Sequence, residues 1–148
     1  MKRGNEMHQI SFGSDNHSGI HSSVVSAIQK ANSGFCAAYG DDPLTQQVLS
    51  DIEMLFGGDC EAFFVMTGTG ANVLSLQSLI NSFHAVICAE TSHINVDECG
   101  AVQKCTQARL SPIQTNDGKL RPELIAPRLL GDSDQHHSQF KIISVSQS

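Results

Sequence analysis

Val65-Met66-Thr67-Gly68-Thr69-Gly70-Ala71-Asn72-Val73-Leu74-Ser75-Leu76 is the stretch from which the fold is read. An apolar, aromatic run, Ala62-Phe63-Phe64-Val65-Met66, leads into it and has the length and composition of a buried strand. Ala71, Val73, Leu74, Leu76, Leu79 and Ile80 follow at helical spacing. Between the two lie two hydroxyls and two glycines. A strand that turns through small residues into a helix leaves backbone N–H groups free at the helix start. Those groups and the positive end of the helix dipole attract an anion, most often a phosphate. Gly68 and Gly70 allow close approach of the backbone, and Thr67 and Thr69 add hydroxyl donors. The plainer reading is a tight strand–helix turn that binds nothing. The pattern is not the nucleotide P-loop, because no Gly-Lys-Ser/Thr follows, and it lacks the third glycine of Gly-x-Gly-x-x-Gly.

Around that unit the chain alternates. Residues 8–22 are rich in short polar residues and glycine, an irregular segment that is either an ordinary loop or one facing a ligand. A helix follows, with Ser22 or Ser23 as its cap, Val24, Val25, Ile28 and Ala31 facing inward, and Gly34 past its end. Asp42 and Pro43 suit the cap and first position of a second helix over 44–56, which Gly57-Gly58 stops. Its apolar side is Leu44, Val48, Ile52, Leu55 and Phe56. Asp41 and Asp42 are then either caps or part of a site.

Ala85-Val86-Ile87-Cys88-Ala89 is continuously apolar, as in a parallel strand covered on both faces. Residues 108–113 form a weaker strand, placed at an edge by Pro112. Asn116-Asp117-Gly118-Lys119 is a turn, 122–130 a helix opened by Pro122, 131–139 a polar loop with His136 and His137, and 141–146 a last strand. The order helix, helix, β, α, β, β, α, β predicts a layered α/β fold with a mainly parallel sheet. Ligands in such sheets sit beyond the C-terminal ends of strands. His93 falls there, a few residues past Cys88, as does the Gly68 turn past its own strand. A loop histidine is otherwise simply solvated.

The composition narrows the function classes. The 148 residues carry a net charge of −6, with 40% hydrophobic and 16% charged residues. The acidic balance argues against a nucleic-acid partner, which needs clustered Lys and Arg. No apolar window is long enough to span a membrane, and no apolar segment follows the basic N-terminus. A cytoplasmic protein is expected. The cysteines at 36, 60, 88, 99 and 105 include no Cys-x-x-Cys pair, so they read as small apolar residues rather than metal ligands.

Several stretches together resemble the low-specificity L-threonine aldolase and β-eliminating lyase family, pyridoxal-phosphate enzymes of the aspartate-aminotransferase-like fold, fold type I. They are Ser14-Asp15-Asn16, Tyr39-Gly40-Asp41-Asp42-Pro43 with Thr45, Thr67-Gly68-Thr69-Gly70-Ala71-Asn72, Glu90-Thr91-Ser92-His93-Ile94 with Asp97-Glu98-Cys99-Gly100-Ala101, Asp117-Gly118-Lys119-Leu120, and Ile143-Ser144-Val145-Ser146-Gln147-Ser148. The resemblance implies a three-layer α/β large domain, with the whole chain, 1–148, as its N-terminal part. It implies pyridoxal 5′-phosphate as cofactor, held at its phosphate by Gly68 and Thr69. His93 would stack on the pyridine ring and act near the substrate hydroxyl. Ser14 would help bind the substrate carboxylate, and Tyr39 would line the pocket, its own or a neighbouring subunit's. His136, or less closely His137, matches a second histidine near the scissile bond.

The implied reaction cleaves the Cα–Cβ bond of L-threonine or L-allo-threonine to glycine and acetaldehyde, with a histidine or a water it holds as base. Elimination at Cβ of an aromatic amino acid is the alternative, and a non-catalytic, degenerate module is a third. The family also uses a lysine for the cofactor, an acid for its ring nitrogen and two arginines, none of which has a counterpart here. The chain therefore reads as truncated, inactive alone, with exposed apolar edges, and as a homo-oligomer in its complete form. A nucleotide-binding α/β domain ranks last, because the glycine pattern does not fit.

Overall fold

The computed structural model describes residues 13–14, 17–130 and 134–146. The chain forms two compact units, Met1–Ala62 and Phe63–Ser148.

The first unit holds two helices, α1 (Ser22–Ala31) and α2 (Pro43–Leu55). α2 starts as its residues dictate. The Asp42 carboxylate accepts from the Thr45 backbone N–H at 2.9 Å and the Thr45 hydroxyl at 2.6 Å, and Pro43 takes the first helical position. These bonds to the ionised form hold the Asp42 carboxyl below its ordinary value. Gly57 and Gly58, both with positive φ, end the helix. The cap of α1 is His21, not Ser22 or Ser23: the Nδ1 of His21 accepts from Ser23 N at 3.2 Å. Neither helix buries a residue, and Val24, Val25, Ile28, Leu44, Leu55 and Phe56 are exposed. The periodic stripes are real, but a stripe is buried only where a second apolar surface meets it.

The second unit contains α3 (Gly68–Leu79), β1 (His84–Ala89), α4 (His93–Val96), α5 (Ala101–Thr106), β2 (Arg109–Ile113), α6 (Pro122–Ile125) with a 3-10 turn over Ala126–Arg128, and β3 (Gln139–Ile143). The sheet is parallel throughout, in the order β2-β1-β3. β1 is central, and its run 85–89 is buried on both faces, as its uninterrupted apolar sequence predicts. Val86 and Cys88 enter one cluster with Leu76 and Ile80 of the α3 end, Val102 of α5 and Leu110 of β2. Fully burying a side chain such as Val86 stabilises by roughly 1.5–3 kcal/mol. Ala85, Ile87 and Ala89 alternate to the other face. There, Pro127 and Leu130 line a small cavity with Ala85 and Ser111.

The expected strand over 62–66 does not form. Phe63 is 74% and Met66 98% exposed, and no strand among the described residues pairs with the run. β propensity needs a ladder partner, and without one an apolar run stays irregular. α6 is shorter than the expected 122–130 helix, because Pro127 has no N–H to donate and its ring crowds the preceding turn. β3 begins two residues earlier than expected, and Ser144 N extends its pairing to Ile87 O at 2.7 Å.

Candidate functional site

The N-terminus of α3 is built by Thr67. Its extended backbone stops the helix, its Oγ1 accepts from Gly70 N at 3.0 Å, and its carbonyl accepts from Ala71 N at 3.0 Å. The N–H groups of Gly68 and Thr69 form no hydrogen bond among the described residues. A Cβ at Gly68 would meet nothing within 4 Å, so no neighbouring atom crowds this side of the turn. Two N–H groups at the positive end of a helix of 12 residues fit an anion such as a phosphate. α3 returns into β1 through a tight turn in which Asn81 N donates to the Nδ1 of His84 at 2.8 Å and His84 N to Asn81 O at 3.0 Å. The helix thus runs back along β1, and its N-terminus lies toward the C-terminal end of that strand.

The segment after β1 is tied down at several points. Glu90 N donates to Ile113 O at 3.0 Å, joining the ends of β1 and β2. The Glu90 carboxylate accepts from Thr115 N at 3.0 Å, which holds its carboxyl below the ordinary range, and Asn95 Nδ2 donates to Glu90 O at 2.7 Å. On this frame His93 opens α4 rather than sitting in an open loop. Its Nδ1 lies 2.7 Å from Oε1 of Glu98, whose side chain is fully buried, while the imidazole is 59% exposed. The same Oε1 accepts from Asn72 Nδ2 at 2.6 Å. Asn72 stands one turn into α3. A three-member chain, Asn72–Glu98–His93, therefore joins α3 to the imidazole beyond β1.

A cleft of about 710 Å³ opens at the same sheet edge, lined by Thr91 and Ser92 after β1, Asp117 to Leu120 after β2, and Val145 and Ser146 after β3. Two features shape its wall. Gly118 has φ +73°, and a Cβ there would stand 3.2 Å from Thr91 Oγ1. Arg121 donates to Asp117 at 2.7 Å and holds that carboxyl at about 2.

Of the other expected site residues in this unit, His136 and His137 are not gathered here. His136 and His137 precede β3, and since Gln139 pairs with His84 in a parallel register, they lie at the opposite, N-terminal edge of the sheet. His136 N bonds Asp134 there at 2.9 Å. In the first unit, Ser14 is half-buried and accepts from His17 N at its carbonyl, and Tyr39 is fully exposed with φ +64°. Asp15 and Asn16 of the quoted motif lie outside the described residues. Asn72 and Glu98 lie in quoted motifs that assign them no role, and the sequence offers only a carboxylate five residues after His93 as a signal for Glu98. Among the described residues no group of His, Cys, Asp and Glu is placed to hold a metal.

The family model described as β-eliminating lyase matches residues 11–148. A low specificity L-threonine aldolase of Pseudomonas sp. (strain NCIMB 10558) is 41% identical over 138 residues, 93% of this chain and 40% of that protein. The low specificity L-threonine aldolase of Pseudomonas aeruginosa is 40% identical over 142 residues, 95% of this chain and 41% of its own length. Among solved structures, a threonine aldolase of Leishmania major superposes with a TM-score of 0.81 at 25% identity, over 88% of this chain and 38% of that one. The chain thus spans about 40% of the length of these curated relatives. With both helices of the first unit and the whole sheet inside the matched residues, the chain belongs to the β-eliminating lyase family.

Proposed function

We propose that this chain forms part of a pyridoxal 5′-phosphate-dependent aldehyde-lyase that cleaves L-threonine or L-allo-threonine to glycine and acetaldehyde. The observation that carries the reading is the Asn72–Glu98–His93 chain, which links free helix N–H groups suited to a phosphate with an exposed imidazole past β1. Gly68 and Thr69 would hold the phosphate through those N–H groups, and the flat imidazole of His93 suits an aromatic ring face. When bound, the cofactor supplies an electron sink for the pair released at Cα. His93 takes the proton of the substrate's β-hydroxyl, directly or through a water it holds. Ser14 and Tyr39 are proposed for the substrate carboxylate and pocket. His136, at the far sheet edge, is the weaker candidate for the base. The complete protein is read as a cytoplasmic homo-oligomer, a dimer or a dimer of dimers. No helix among the described residues is long and apolar enough to cross a membrane.

The family's description favours one second reading, elimination at Cβ, for which the resemblance suggests an aromatic amino acid. One assay separates the two. The chain is co-expressed with the C-terminal portion of the Pseudomonas aldolase that lies beyond the match, and supplied with cofactor. Acetaldehyde from L-threonine, lost in His93→Asn and not made by the 148-residue chain alone, is the expected result. Release of ring products from aromatic amino acids, with no acetaldehyde from L-threonine, supports the second reading instead.

A further inference from the structure

We infer that Glu98, held by Asn72, is a positioning residue that fixes the Nδ1–H tautomer of His93 and leaves Nε2 as its free acceptor. The consequence for catalysis rests on the proposed role of His93; the tautomer itself does not.

Burying a carboxylate is costly unless its oxygens are hydrogen-bonded. Glu98 has a fully buried side chain, and both of its contacts converge on one oxygen, Oε1, at 2.6 Å from Asn72 and 2.7 Å from His93. Oε2 is buried with no partner among the described residues. An amide nitrogen only donates, so Asn72 makes Oε1 an acceptor. A second short contact to that oxygen is favourable when Nδ1 also brings a proton. A neutral imidazole carries one N–H, so the proton at Nδ1 leaves Nε2 bare. Nε2 makes no hydrogen bond among the described residues. The nitrogen able to accept a proton is thus the one turned away from the buried carboxylate.

The arrangement also explains the placement of Asn72. It projects from the helix whose first turn carries the free N–H groups, so one side chain sets both the orientation of Glu98 and the spacing between that turn and the ring. A purely structural latch between α3 and the α4–α5 segment would need only the Asn72–Glu98 bond. It would leave the imidazole free to exchange between tautomers, as expected of the exposed His17.

The test reads the tautomer directly. The 15N-labelled 148-residue chain is examined near neutral pH by two-bond 1H–15N correlation of its histidine rings, with His93 assigned by the loss of its signals in His93→Asn. The expected pattern is a single tautomer with protonated Nδ1 and unprotonated Nε2. Glu98→Met should convert it to a mixture of the two tautomers. Asn72→Ala, which keeps the carboxylate and removes its support, should move it the same way by less. A folded wild-type chain with Nε2–H, or an unchanged tautomer in folded Glu98→Met, overturns the inference. The wild-type spectrum alone can do so, whichever variants fold. Cofactor binding and turnover do not enter this measurement, so failure of the lyase assignment would be seen separately.

Discussion

Replacing Thr67 by alanine removes the one side-chain cap of α3 and nothing else from the sheet. The bond lost is Thr67 Oγ1 to Gly70 N, 3.0 Å long and exposed. Loss of a Thr cap costs about 0.5–2 kcal/mol, and because water can reach this N–H the cost should fall near 1 kcal/mol. Leu76 and Ile80 at the far end of α3 belong to the core cluster, so weakening the helix start is felt in global stability and not only as fraying. With a urea dependence of about 1–2 kcal/mol/M, the unfolding midpoint should fall by about 0.5–1 M at unchanged slope. Far-UV circular dichroism through a urea series reads it. Thr67→Ser keeps the oxygen and should remain near the wild type. An unmoved midpoint in Thr67→Ala would refute the capping argument, and with it the view that only the Gly68 and Thr69 N–H groups are left for a ligand.

Alkylation of the native chain, followed by mass spectrometry, should modify Cys36, Cys60, Cys99 and Cys105 before Cys88. Cys88 is buried, and burial pushes its thiol above the usual range. Equal labelling of all five would contradict the packing of β1. The Asp117 carboxyl, held at about 2 mainly by its hydrogen bond from Arg121, lies below its ordinary 3.8. Its contribution to stability is therefore present above pH about 4 and lost as pH falls toward 2. In Arg121→Ala its titration, followed by NMR, should move back up toward 3.8; an unchanged titration would remove the ion pair from the account. Gly118→Ala forces a side chain into left-handed backbone against Thr91 Oγ1 and should cost about 1–2 kcal/mol in a urea series, where no loss would count against the close approach.

How much was legible in the sequence varied with what each element depends on. α2 was readable because Asp42, Pro43 and Gly57 act within a turn of their own positions. β1 was readable because five apolar residues in a row leave no solvent face. The start of α3 was readable in the same local way, but the strand before it was not, since a strand exists only with a partner to bond. The cap of α1 was misread because a histidine nitrogen does there what a serine oxygen more often does. Asn72 and Glu98 escaped notice because their bond spans 26 residues and exists only once α3 folds back along the sheet. The resemblance pointed to His136, but the parallel register of β3 carries that loop to the other edge.

The most direct measurement is a titration of the 15N-labelled chain with pyridoxamine 5′-phosphate, which has the cofactor's phosphate and ring but no aldehyde to react with lysines. Saturable amide shifts at Gly68, Thr69 and Gly70, together with shifts of the His93 ring, are expected, with none from dephosphorylated pyridoxamine. Shifts confined to other residues, or no saturable response at either the helix start or His93, would contradict a shared site and leave only the fold.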